Sequence, residues 1–299
     1  MERLEHLWAH LPEIARHSLL DTLKLVPFLF LTYLIMELLE HKSGDAAARW
    51  LRRSGKIGPL IGGALGIVPQ CGFSAAASGL YGGRIITVGT LMAVYLSTSD
   101  EMLPVMLSEG APIPFLLKIL GVKLLVGIAA GFAIDFVFHI CRRNKPVQEP
   151  QIEEFCEREN CRCGEHFALS ALRHTVQILG FILLFTFALD LLIHGVGEDK
   201  LAALVLDRPV LGNLLAAVVG LIPNCASSVV LTELYLSGIV SIGALLSGLL
   251  VNAGVGLALL FRNNRPVWDS IRIVAILWCI GAVVGILVDL TPLSALLGM

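Results

Sequence analysis

Two segments of the chain pair a proline with an amide and a cysteine. Pro69-Gln70-Cys71 is followed by Ser74, and Pro223-Asn224-Cys225 is followed by Ser228. Sulfur is a soft ligand, better matched to transition metals and metalloids than to Na⁺ or sugars. Gln70, Ser74, Asn224 and Ser228 add side-chain donors and acceptors. Proline removes a backbone donor and blocks the helical bond of the preceding turn, so each segment opens its own backbone. The two segments are copies. An offset of 154 residues relates Pro69 to Pro223 and holds without a gap at Gly58/Gly212, Leu80/Leu234, Tyr81/Tyr235, Ile85/Ile239, Gly89/Gly243 and Leu91/Leu245. A duplicated, helix-breaking, polar segment within apolar sequence points to a transporter's binding site. The competing reading is a pair of structural kinks with inert buried cysteines. A single Pro-x-Cys would favour the kink, and the duplication reverses that order.

A second polar interruption, Ser97-Thr98-Ser99-Asp100-Glu101, lies within the apolar run Ile85–Leu107 and is followed by Pro104. Its repeat counterpart contains Asn252-Ala253-Gly254, so Thr98 pairs with Asn252, while Asp100 and Glu101 have no acidic equivalents. Ionisable groups at membrane depth are costly and by default mark ion paths or relays. Lys123 lies in the next apolar run, where the repeat has Leu277. Asp100, Glu101 and Lys123 are therefore coupling candidates, as a carboxylate–lysine pair. A static salt bridge is weighed evenly against that role. Thr98, Asp100 and Asn252 join the substrate-binding candidates. Glu37/Asp190 and His41/His194 stand at span ends and read as interfacial groups more readily than as a gate. A third cluster, Cys156, Cys161, Cys163 and His166, places four soft or borderline ligands within eleven residues. Zinc or another transition metal suits that set, although the spacing matches no standard finger. The bland alternative is a reduced loop with incidental cysteines.

These residues need elements to hold them. The chain has 299 residues, 56% hydrophobic and 15% charged, with mean hydropathy +0.80, which is membrane composition. Its net charge of −2 implies no nucleic-acid partner. Apolar runs long enough to span occur at Leu19–Leu39, Ile85–Leu107, Ile113–Ile140, Ala171–Ile193, Ile239–Phe261 and Ile271–Leu297. The first is read as a span and not as a cleaved leader, because Thr22/Thr175, Phe28/Phe181, Leu31/Leu184 and Gly44/Gly197 align at offset 153. Lys118/Arg272, Gly127/Gly281, Gly131/Gly285 and Asp135/Asp289 extend the repeat to the last span. Four regions follow: 1–17, an interfacial helix with Leu4, Leu7, Trp8, Leu11 and Ile14 at helical spacing; 18–141, the first membrane repeat; 142–170, a cytoplasmic Cys/His linker; and 171–299, the second repeat.

Basic residues set the orientation. Lys42, Arg49, Arg52, Arg53 and Lys56 follow the first span, Arg142, Arg143, Lys145, Arg158 and Arg162 fill the linker, and Arg262 and Arg265 precede the last span. All three groups belong in the cytoplasm. That is met if 57–82 is a helical hairpin, with halves Gly58–Val68 and Ser74–Tyr81, entering and leaving on one side. Each repeat then crosses three times, and the two are inverted. The expected fold is an all-α polytopic membrane protein of two inverted repeats, each with three full spans and one broken hairpin, about ten helical segments in all.

With Val68-Pro69-Gln70-Cys71-Gly72-Phe73-Ser74-Ala75-Ala76-Ala77, Leu96–Pro104, Pro223-Asn224-Cys225 and the Cys/His linker in view, the chain resembles a bacterial family of ten-helix heavy-metal exporters. Its members are variously labelled arsenic efflux permeases or manganese transporters. The resemblance covers essentially the whole chain. It implies a multi-pass protein of the bacterial cytoplasmic (inner) membrane that exports a metal or metalloid. The expected function is a secondary transporter moving a heavy-metal cation by alternating access against protons. Its partners are the metal ion, protons and the lipid bilayer, with homo-oligomerisation left open. No cofactor is required beyond the metal the linker could hold. No Walker A motif is present to use ATP. A trivalent arsenical permease is the alternative within transport, and a membrane metal sensor is the second alternative. An intramembrane enzyme with Cys71 as nucleophile lacks a histidine base in the hairpin or the span after it.

Overall fold

A computed structural model of the chain describes residues 57–68, 72–99, 102–141, 210–224, 226–264 and 266–297, with scattered helical positions within 19–34 and 172–188. Every regular element among the described residues is helical. Residues 1–17, Glu37, His41, Asp190, His194 and the whole 142–170 linker lie outside the described residues.

Helices α1 (Gly58–Gly66) and α2 (Gly72–Gly82) are the two halves of the expected hairpin. The apolar run that follows is not one rod. It is α3 (Val88–Ser97) and α4 (Met102–Ser108), interrupted at the hydroxyl-rich segment. Helix α5 (Ile113–Cys141) is continuous over 29 residues. The set recurs as α6 (Leu211–Gly220), α7 (Ala226–Leu236), α8 (Ile242–Val251), α9 (Val255–Asn263) and α10 (Val267–Leu290), closed by a short α11 (Leu293–Leu297). Both ends of α2 and α7, and of α3 and α8, are related by the same shift that relates Pro69 to Pro223. The run expected over Ile271–Leu297 is corrected at both ends. The helix begins at Val267, after Pro266 in the N-cap position, and stops at Leu290, before Thr291-Pro292. Pro292 has no N–H to continue the ladder.

Lengths sort the helices into two kinds. Among the described residues, three stretches reach membrane-spanning length and apolarity: Ile113–Ile140, Ile242–Asn263 and Val267–Leu290. At 1.5 Å per residue, α5 and α10 measure about 43 and 36 Å, enough to cross a ~30 Å hydrocarbon core. The ten-residue pieces α3 and α8 measure about 15 Å, half of it. Their breaks therefore fall at mid-depth, where open backbone survives only inside protein or beside a wet cavity. The burial agrees: Ile242–Asn263 is 89% buried, against 28% and 33% for the two unbroken helices. Leu117, Leu125 and Phe136 on α5, and Val283, Leu287 and Leu290 on α10, are left exposed.

Within each copy, three helices pack through small residues. A side chain at Gly89 would collide with the Gly131 carbonyl, and one at Gly243 with the Gly285 carbonyl. Without a hydrophobic drive between helices in lipid, such close approach is what holds a bundle together. An aspartate then pins each trio. Asp135 accepts from the Gly89 N–H (2.9 Å) and the Thr87 hydroxyl (2.7 Å) at the start of α3. Asp289 repeats this with the Gly243 N–H (2.9 Å) and the Ser241 hydroxyl (2.6 Å) at the start of α8, and also accepts from the Asn213 amide. Thr87 and Ser241 are themselves the N-caps. An acid there satisfies orphan N–H groups and the positive end of the helix dipole.

Between copies the partners are exchanged. Helix α2 packs on α9, and α7 packs on α4. The buried apolar clusters mix both copies accordingly. Met102, Met106, Phe115 and Ile119 lie with Leu231, Leu245 and Leu249, while Leu91, Met92 and Tyr95 lie with Leu250, Leu257 and Leu277.

Candidate functional site

Four helix interruptions fall inside the molecule, and the site is built from their ends. In the first copy, α1 ends at Gly66 with Ile67 in helical conformation. Ser99, 1% exposed, donates its hydroxyl to the Ile67 carbonyl at 2.6 Å. This bond joins the hairpin break to the α3–α4 break. Thr98 terminates α3, and its hydroxyl turns back to the Val94 carbonyl (2.7 Å), so its proton is committed to its own helix.

The second copy opens differently. Asn252 terminates α8, and its Oδ1 accepts from the Gly254 N–H at 2.9 Å. The Asn252 Nδ2 is buried and has no hydrogen-bond partner among the described residues. A buried, unpaired amide donor costs about 1–3 kcal/mol, which makes this atom a candidate contact for a polar guest. One turn earlier, the Leu249 carbonyl accepts from Lys123 Nζ, and Lys123 is 1% exposed. The ammonium thus sits at the negative end of half-helix α8. At the second hairpin, the Asn224 N–H donates to Ile222 O (2.7 Å), and Ser227 Oγ donates to Asn224 O (2.9 Å). Ser228 is buried and accepts at its carbonyl from Thr232 Oγ1 (2.7 Å).

Ser74 ties the copies. It is fully buried on α2, and α9 approaches it so closely at Gly256 that a side chain there would meet the Ser74 backbone. Ser78 Oγ donates to Ser74 O and lies 2.7 Å from both the Gly256 carbonyl and the Tyr95 hydroxyl. Ser74 and Lys123 of the first copy, and Asn252 of the second, therefore gather around the α8–α9 interruption. Asn224 and Ser228 belong to the hairpin whose helix α7 packs on α4.

Gln70, Cys71, Asp100, Glu101 and Cys225 lie outside the described residues, as do Cys156, Cys161, Cys163 and His166. Among the described residues, no three His, Cys, Asp or Glu side chains converge as a metal site.

Some structural residues escaped the sequence reading. The Asp135/Asp289 pairing was visible as a repeat, and an acid at a span end facing Thr87 or Ser241 was the available signal for a cap. Ser78 and Tyr95 carried none, because their bonds to the Gly256 carbonyl cross between copies.

A family model described as "Putative, 10TM heavy-metal exporter" matches residues 12–193. The match runs through the first copy and the linker into the first apolar run of the second copy. No curated protein and no solved structure matches the chain. The half-length helices, the buried polar interruptions and the exposed long helices are the architecture of a multi-pass transport protein. With more than half its length matched, the chain belongs to this family of ten-helix heavy-metal exporters.

Proposed function

We propose that the protein is a secondary transporter that exports a heavy-metal cation by alternating access, coupled to protons. The observation that carries this reading is the exchange of partners between copies, α2 on α9 and α7 on α4, around interruptions at mid-depth. Two such bundles can rock about a shared centre while each keeps its own small-residue packing. In this reading 18–141 and 171–299 are inverted repeats, joined by the cytoplasmic 142–170 linker after the 1–17 interfacial helix. Gln70, Cys71, Ser74, Thr98, Asn224, Cys225, Ser228 and Asn252 line the path. The thiolates select a soft cation over Na⁺, and the unpaired Asn252 amide orients an anionic ligand or water of its shell. Asp100 binds substrate and, with Glu101, carries the coupling proton, while Lys123 at the α8 end balances their charge. Cys156, Cys161, Cys163 and His166 concentrate metal before entry. The substrate is cargo, so no resident cofactor is needed in the membrane.

Metal-by-metal efflux from cells overexpressing the chain tests this. Cys71→Ser and Cys225→Ser each keep the side-chain size but harden the ligand, and each is expected to reduce efflux at least tenfold, on the order of 1.4 kcal/mol. Parental efflux from both would reduce the cysteines to packing residues. Asp100→Asn and Glu101→Gln, assayed separately across an imposed pH gradient, are expected to include one variant that binds metal but loses pH-driven efflux. Replacing the four linker ligands together is expected to lower apparent affinity yet leave residual transport.

A further inference from the structure

The two inter-copy junctions occupy equivalent positions and are closed by different chemistry. Helices α2 and α7 end alike. Ile85 N–H returns to Leu80 O and Arg84 N–H to Tyr81 O, as Ile239 returns to Leu234 and Gly238 to Tyr235, all at 2.9 Å. This is the Schellman ending, whose αL position normally holds glycine. The second copy obeys, with Gly238 at φ +72°. The first places Arg84 there at φ +58°, the one described non-glycine residue with positive φ. A strained backbone conformation kept in place points to a use for its side chain.

That use is visible. Arg84 Nη1 donates to Asp269 Oδ2 at 3.3 Å, beside the Tyr81 hydroxyl (2.7 Å) and the Asn264 amide (3.1 Å) on the same oxygen. The guanidinium also lies 5.3 Å from the centre of the Tyr81 ring. Arg84 and Tyr81 are from the first copy, while in the second Asn264 caps the end of α9 and Asp269 lies in the first turn of α10. The side chains of the ion pair are only 15% and 21% exposed, which limits screening. At the other junction the counterpart of Asp269 is Phe115, and it stacks on Tyr235, the counterpart of Tyr81, at 5.6 Å and 7°. The first junction is thus an ionic clamp with three donors on one carboxylate oxygen, and the second is an apolar stack.

We infer that Arg84 and Asp269 form a releasable latch between the two copies, and that they set the balance between the two end states of transport. An alternating-access protein opens one junction while the other stays shut. An ion pair loses its partner but regains water on opening, so it can release. Arg84 follows α2 and Arg262 lies in the last turn of α9, and these basic residues assign the junction to the cytoplasmic face by the positive-inside rule. Releasing the latch would then admit cargo from the cytoplasm. The inference rests on the exporter reading for its purpose, but the latch is measurable without transport.

The test uses the full chain in lipid nanodiscs, with Ala77→Cys on a background lacking native cysteines as a reporter. Ala77 is buried on α2 beneath the latch, 5% exposed. Arg84→Gly restores the residue that the other copy uses, so it relieves the backbone while removing the guanidinium. Expected is a rise of about fivefold in the rate of thiol labelling at position 77, matched by Asp269→Asn. The counter-variant, Phe115→Leu, loosens the opposite junction and is expected to lower that rate. In the native-cysteine background, both latch variants are expected to change the maximal export rate more than the apparent affinity for metal. Parental labelling in Arg84→Gly and Asp269→Asn overturns the latch, whatever the export rate. Changed labelling in a chain whose parent exports no metal keeps the latch and removes the exporter reading. Should Asp269→Asn misfold, Arg84→Gly alone decides, because glycine is the residue this turn favours.

Discussion

In the first copy, α2 ends on an arginine that reaches across to Asp269; in the second, α7 ends on a glycine and a tyrosine that stacks on Phe115. The half-helices behind these two endings share boundaries, share the Gly89/Gly131 and Gly243/Gly285 contacts, and share an aspartate that pins the N-terminus of α3 or α8. What is shared holds each copy together. Four of the differences lie where the copies meet or where the backbone is open: Arg84 against Gly238, Phe115 against Asp269, Lys123 against Leu277, Thr98 against Asn252. Duplication supplied the scaffold, and these four differences make the paired junctions and the paired interruptions chemically unlike. An all-symmetric protein would have two end states of equal energy, so asymmetry at the junctions is what lets one state be preferred.

The comparison can be broken most forcefully at the shared scaffold. Gly89→Leu and Gly243→Leu are each expected to abolish the folded protein in detergent, because the added atoms meet a facing carbonyl and not a flexible side chain. Overpacking of this kind costs about 3 kcal/mol or more. If only one of the pair destabilises, the two trios are not equivalent. Next in size, Asp135→Ala and Asp289→Ala each leave orphan donors at a half-helix start, at about 2 kcal/mol. Asp289→Ala is expected to lower the thermal midpoint further, since Asn213 also loses its acceptor. Equal midpoints would show that this third bond adds nothing.

Smaller effects sharpen the difference between junctions. Phe115→Leu removes the stack with Tyr235 and is expected to cost about 1 kcal/mol, read as a thermal shift with labelling at the Arg84 junction lowered. Of similar size is Gly238→Ala. Among the described residues beyond its chain neighbours, none lies within 4 Å of the new Cβ, so the positive φ opposes it, at about 1 kcal/mol. Arg84→Gly is expected to run the other way for the backbone and to lose the ion pair, leaving a near-zero net change. A large fall in stability for Arg84→Gly would mean that the pair is a structural brace.

Much of the fold was legible because hydropathy and duplication are one-dimensional. The hairpin halves were placed within one or two residues, since proline and the flanking glycines mark where a helix must open. Helix α5 was bounded by Pro112 and the basic linker. The last helix was misplaced, because its start depends on the cap at Pro266 and its stop on Pro292, while apolar content alone runs on to Leu297. The candidate site was legible only as residue types. Ser74, Lys123 and Asn252 were named from composition against context, but nothing in the chain said that Lys123 would reach the α8 end.

The sequence by itself determined that this is a helical membrane protein built twice, with its backbone opened at a proline-bearing hairpin in each copy. Those facts follow from local chemistry: apolar length, missing donors and a repeated spacing. The breaks after Ser97 and Val251 came from the structure. Only the tertiary structure decided that α2 leans on α9 and α7 on α4, so that Ser74 lies against the opposite copy's broken helix and Arg84 finds Asp269. These contacts join residues far apart in the chain, and their geometry depends on how closely helices approach at single glycines. No local pattern encodes that distance.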